Sequence, residues 1–244
     1  MSIGKIEAQD VIKTKTVPVF TDVETYSLAD VVGQKGWFRH PSHPNPGGQF
    51  AVVGGSQVEG IQSLALQARA GIVQNTQIFR EFAIPVIFPY DRMEMSWKTK
   101  MLSTMTIPYS LNLVTFPNVP ANPETSLDYN LYFGMNSLGL GHVEIWFGSV
   151  TAAVWEKYGT NDNTVHSYKW VVASQGLNQP GLCEVYYDDV LVATRVGGGG
   201  AYSSPSQGDI PESFSHINLQ SSMNNDVPNS DKMFIDSIQI KVIR

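Results

Sequence analysis

The sequence predicts an all-β protein, an antiparallel sandwich of two sheets. Two observations carry that expectation. Apolar residues recur with period two along most of the chain, and helical periodicity is nearly absent. Turn formers punctuate these runs, with 21 Gly and 14 Pro spread over 244 residues. Helix is therefore expected in under about a tenth of the chain, well below the usual share.

The alternating runs come in order. Met93, Met95 and Trp97 alternate with Glu94, Ser96 and Lys98. Tyr129, Leu131 and Phe133 flank Asn130 and Tyr132, and Val143, Ile145 and Phe147 flank Glu144 and Trp146. Ile238, Ile240 and Val242 alternate with Ser237, Gln239 and Lys241. Each run puts one face into a core and leaves the other for solvent, a neighbour or a ligand. Loops are expected at Pro41–Gly48, at Pro117–Pro123 and from Gly197 to about Pro211. The four glycines Gly197–Gly200 lack the Lys-Ser/Thr of a phosphate loop. Strand patterns of one kind on both sides of every loop predict one domain over 17–244, with 1–16 an N-terminal arm or edge strand.

Composition narrows the function. A hydrophobic share of 42% against 16% charged residues is enough for a sizeable core, which excludes a disordered chain. A net charge of −6 without a basic stripe argues against nucleic acid as a partner. No apolar stretch is long enough to span a bilayer as a helix, and no membrane partner is expected. The single cysteine, Cys183, lies in an apolar run and reads as a buried, inert thiol. The first fifteen residues hold no apolar signal segment, so the chain reads as cytoplasmic or as a mature form whose signal was removed.

Three segments carry a resemblance. The first is Phe20-Thr21-Asp22-Val23-Glu24-Thr25-Tyr26, running on to Gln34-Lys35-Gly36-Trp37. The second is Tyr168-Lys169-Trp170, followed by the hairpin run from Glu184 through Asp188-Asp189 to Ala193. The third is Phe234-Ile235-Asp236-Ser237-Ile238-Gln239-Ile240. Together they resemble the concanavalin A-like lectin/glucanase (laminin-G-like) superfamily, which implies a jelly-roll sandwich with the third segment pairing near the first. The hairpin departs from the family in having Asp189 where glycine is usual. A type I′ turn is still expected there, because Asp tolerates positive φ better than most residues.

The resemblance also implies where chemistry would lie. Laminarinase-like members cut polysaccharides with two carboxylates on one strand of a concave sheet, one acid and one nucleophile. The matching strand here runs His142 to Gly148; Glu144 lies opposite Val143 and Ile145, but Trp146 takes the next position on its face. No second acid follows. Alginate-lyase-like members use a Gln-x-His strand with an Arg and a Tyr, and Arg80, Tyr132, His142 and Tyr186 lack that pattern. No catalytic residue is assigned, and the protein is expected not to be an enzyme.

Other candidates are weaker. His40 and His43 each precede proline, so their segment is extended and presents no metal pair on a helical face. His166 and His216 are scattered, and no zinc site is expected. Asp22, Glu24 and Asp236 form a candidate structural calcium set if first and last strands pair, although ordinary strand-end acids are the plainer reading. No other cofactor is expected. Trp97, Tyr132, Trp146 and Tyr186, with Glu144, are candidate carbohydrate- or partner-binding residues; exposed rings stack on sugars or anchor interfaces.

Two functions remain. The first is a non-enzymatic structural or interaction protein, expected to be a virion component such as a capsid decoration, fibre or tail protein. It would assemble in host cytoplasm with other virion proteins or with itself as a homo-oligomer. The alternative is a carbohydrate-binding or polysaccharide-cleaving domain, secreted with its signal removed, with glycans as partners. The sequence ranks the first higher because no catalytic pattern is visible.

Overall fold

A computed structural model describes residues 14–20, 25–39, 48–55, 57–68, 76–87, 92–101, 109–115, 130–137, 143–147, 154–157, 162–174, 181–196, 213–221 and 232–243. Fifteen strands account for nearly all of them: β1 (Thr14–Phe20), β2 (Trp37–Arg39), β3 (Gly48–Gly54), β4 (Gln62–Ala68) and β5 (Thr76–Ile87). These are followed by β6 (Arg92–Met101), β7 (Tyr109–Thr115), β8 (Asn130–Ser137), β9 (Val143–Phe147) and β10 (Val154–Lys157). The last five are β11 (Val165–Ser174), β12 (Gly181–Tyr187), β13 (Val190–Val196), β14 (Ser213–Ser221) and β15 (Lys232–Ile243). No α-helix occurs among the described residues. The all-β expectation holds.

The strands form two antiparallel sheets. One has eight strands in the order β13-β12-β11-β6-β15-β4-β3, with β1 also paired to β15; the other has seven, β10-β9-β8-β7-β14-β5-β2. Neighbours in space are mostly distant in sequence, as in a jelly roll rather than a meander.

Alternation explains which side chains meet between the sheets. Met93, Met95 and Trp97 of β6, Trp170 and Val172 of β11 and Ile238, Ile240 and Val242 of β15 line the eight-stranded side of the core. Trp37, Ile78, Ile217 and Leu219 answer from the seven-stranded side. Each such side chain contributes roughly 1.5–3 kcal/mol by leaving water. Trp97 stacks on Tyr168 at 5.5 Å between centroids and meets Trp170 edge-on at 4.5 Å. Cys183 is buried in the same core, and burial pushes its thiol well above the ordinary range, so it stays unreactive.

β15 needs one irregularity to serve two neighbours. Its first half pairs β4 and its second half pairs β1, with Phe20 opposite Ile238. Met233 and Ile235 are core residues before the switch, and Ile238, Ile240 and Val242 after it. Strict alternation would turn one half outward. A bulge between Asp236 and Gln239 shifts the parity, with Ser237 at φ 53°. Asp236 clamps this bulge: its carboxylate accepts the Ser237 backbone N–H at 2.7 Å and the Ser63 hydroxyl at 3.4 Å.

The β12–β13 hairpin turns as the sequence implied. Asp188 and Asp189 have φ of 47° and 64°, the two positive angles of a type I′ turn. The Asp188 carboxylate offsets the strain by accepting the Ser167 backbone N–H at 2.9 Å and contacting His166 Nδ1 at 2.7 Å. Lys35 and Gly36 likewise take positive φ in the turn that delivers Trp37 to β2 and the core.

Candidate functional site

Ile78, Ile217 and Leu219 point between the sheets, so the residues alternating with them belong to the opposite face of the seven-stranded sheet. Cross-strand register then defines rows over that face. One row runs through Phe38, Phe79, Asn218, Asn112, Gly134, Trp146 and Trp155 and crosses all seven strands. The next runs through Gln77, Gln220, Ser110, Asn136, Glu144 and Lys157. A third begins with Glu81, His216, Val114 and Leu131. On β7 to β10 these are backbone positions in the register.

Amide and hydroxyl positions fill the middle of the face, with aromatic positions at the β2–β5 and β9–β10 ends of the first row. A β-bulge between Leu113 and Val114 on β7 leaves Tyr132 as the extra residue of β8. Bulges of this kind re-aim side chains and recur beside active sites.

The face is covered over β5 and β14. Phe79, His216 and Asn218 lie on it and are 1%, 4% and 0% exposed. The Asn218 amide donates Nδ2–H to the Ile78 carbonyl at 3.2 Å, and His216 meets the Phe38 ring edge-on at 6.1 Å. Burial pushes the His216 imidazole down to about 4, which keeps it neutral at ordinary pH.

The candidates from the sequence fall in three places. Glu144 and Trp146 occupy neighbouring rows of this face on β9, and Tyr132 lies at its bulge. Tyr186 lies on the outer face of the other sheet, where Lys169 sits over its ring at 4.0 Å. Trp97 requires a correction: at 1% exposure its ring is sealed between the sheets and offers no face to a ligand. Of the calcium set, Asp236 is buried at the β15 bulge, whereas Asp22 and Glu24 lie outside the described residues. His40, His43, His142 and Gly197–Gly200 also lie outside them. Among the described residues, no group of three or more His, Cys, Asp or Glu is placed to hold a metal.

Sequence reasoning missed Gln77, His216, Asn218 and Gln220. One signal was available: His216-Ile217-Asn218-Leu219-Gln220 alternates polar and apolar residues, with all three polar groups on one face.

No protein-family model and no curated protein sequence matches the chain. Solved structures do. The chain is similar to an endo-1,3-β-glucanase from Streptomyces sioyaensis, with a TM-score of 0.57 at 13% identity over 93% of this chain and 96% of that one. It is similar to an endo-β-1,4-glucuronan lyase from the fungus Trichoderma reesei, with a TM-score of 0.55 at 9% identity over 88% and 94%. It also matches β-agarase A from Zobellia galactanivorans, with a TM-score of 0.51 at 13% identity over 96% and 93%. The fold is thus the concanavalin-like jelly roll that the three sequence segments implied.

These likenesses overturn two expectations. The three named structures are of a glucanase, a glucuronan lyase and an agarase, and none of them supports a capsid, fibre or tail role. The virion reading is therefore withdrawn, and with it the expectation that the protein is not an enzyme. That expectation rested on the missing second acid on β9 and on the absent Gln-x-His pattern, both local to a single strand. Groups on this face converge from seven strands.

Proposed function

We propose that the protein binds a polysaccharide along the seven-stranded face and cleaves it, by elimination at a uronate rather than by hydrolysis. The two polar rows that cross the sheet carry this reading. They supply hydroxyl and amide positions suited to sugar hydroxyls, with aromatic positions at the β9–β10 end suited to sugar rings.

Distance between carboxylates favours elimination. Glu81 and Glu144 are the acidic positions on the three rows, and three strands stand between β5 and β9. At about 4.8 Å per strand they are at least roughly 19 Å apart, whereas paired glycosidase carboxyls need about 5–10 Å. Elimination needs a different set. A base removes the C5 proton, the C–H electron pair forms the C4–C5 double bond, the C4–O bond breaks, and the leaving oxygen takes up a proton. Neutral donors beside the uronate carboxylate make its C5 proton easier to remove, and the amide positions Asn112 and Gln220 are of that type.

Incubation with glucuronan, alginate, laminarin, xylan and agarose tests this. Expected are new reducing ends from an acidic polysaccharide, rising in step with unsaturated-uronate absorbance. Reducing ends without that absorbance would overturn elimination. A protein that neither binds nor shortens any of the five would overturn the function.

A further inference from the structure

The opposite surface of the sandwich carries a recess of about 450 Å³ on the outer face of the eight-stranded sheet. Its volume lies in the range of small-ligand sites. Register again builds it. One row crosses four strands through Tyr186 of β12, Lys169 of β11, Ser96 of β6 and Gln239 of β15. Both flanks are bulged: β13 at Val192, opposite Val185 and Tyr186 of β12, and β15 at Ser237. Ser237 holds its positive φ inside a strand because two carboxylates fix it, Asp236 at its N–H and Glu59 at its hydroxyl. A non-glycine residue held this way is strain retained beside a concave site.

Charge identifies the ligand class. Glu59 at the rim is already engaged, accepting Lys98 Nζ at 3.0 Å and the Ser237 hydroxyl at 2.6 Å. Glu184, beside the recess, accepts the Tyr186 hydroxyl at 3.0 Å. Among the described residues no carboxylate pairs with the Lys169 ammonium, which rests on the Tyr186 ring. Asp189 of the β12–β13 turn also lines the recess, so its four charged groups balance, but the central row itself holds a single charge, the Lys169 ammonium, between an aromatic ring and a run of hydroxyl and amide groups. We infer that this recess is a second saccharide site, taking one uronate-bearing segment with its carboxylate on Lys169 and its hydroxyls on Ser96 and Gln239. The inference shares the ligand class of the proposed function but none of its residues, and it requires no cleavage here.

The test uses calorimetric titration with a glucuronan tetrasaccharide, and laminaritetraose as the neutral control. Asn112→Trp blocks the seven-stranded face, and binding that remains in this variant reports the recess. Adding Lys169→Met is expected to weaken that remaining binding tenfold or more, and adding Ser96→Trp to abolish it. Laminaritetraose is expected to bind far more weakly. Lys169→Met alone should leave polysaccharide cleavage unchanged. If Asn112→Trp by itself removes all binding, the recess is not a site, while the reading of the seven-stranded face stands. Equal binding of laminaritetraose, or indifference to Lys169→Met, overturns the uronate assignment. If Asn112→Trp leaves both cleavage and total binding intact, the seven-stranded reading fails, and the recess is still judged by Lys169→Met.

Discussion

Replacing Trp97 with alanine is expected to lower unfolding stability by about 3–5 kcal/mol. Trp97 is fully enclosed and touches Tyr168 and Trp170, so its removal leaves a void lined by large rigid rings. Strand β6 sits between β11 and β15, and its backbone cannot move inward to fill that void without breaking both ladders. Trp97→Phe keeps most of the volume and should cost about half as much or less. Urea unfolding of the three proteins gives the comparison. A loss below about 1 kcal/mol for the alanine variant would mean that the ring is not in the core.

The second large effect is a dependence of stability on pH through His216. Its folded-state pKa is depressed by burial from 6.5 to about 4. The unfolded chain therefore binds a proton that the folded chain refuses between those values. Stability from this group is fully present above about pH 6.5 and falls as pH drops toward 4. The total loss is about 3 kcal/mol from the size of the shift. His216→Gln cannot titrate, so its stability should fall less than the wild type's between pH 7 and pH 4.5. Parallel curves for the two proteins would show that His216 titrates normally and is not buried.

Much of the fold was legible because a strand states its own faces. The alternation around Met95 and around Ile240 correctly paired apolar residues on one side, and Asp188-Asp189 announced a tight turn. Alternation does not state which side meets the other sheet. Trp97 was read as a possible ligand platform, although it shares a face with Met93 and Met95 and alternates with Glu94 and Lys98, which settles its direction. The parity change at Asp236-Ser237 was also hidden, because it exists only to let β15 pass from β4 to β1.

The site was less legible for a physical reason. Asn218 lies beside Phe79 and Asn112, residues more than a hundred positions away, and no local pattern encodes such a row. Along β9 the sequence shows one acid, Glu144. The amides and the imidazole that complete the face come from β5, β7 and β14.

The seven-stranded face is tested most directly by a crystal structure of the protein with a uronate tetrasaccharide bound. Sugar rings are expected along the row through Asn112, Gly134 and Trp146, with a uronate carboxylate beside the Asn112 position. A tetrasaccharide found only away from this sheet, with the row left untouched, would contradict the assignment.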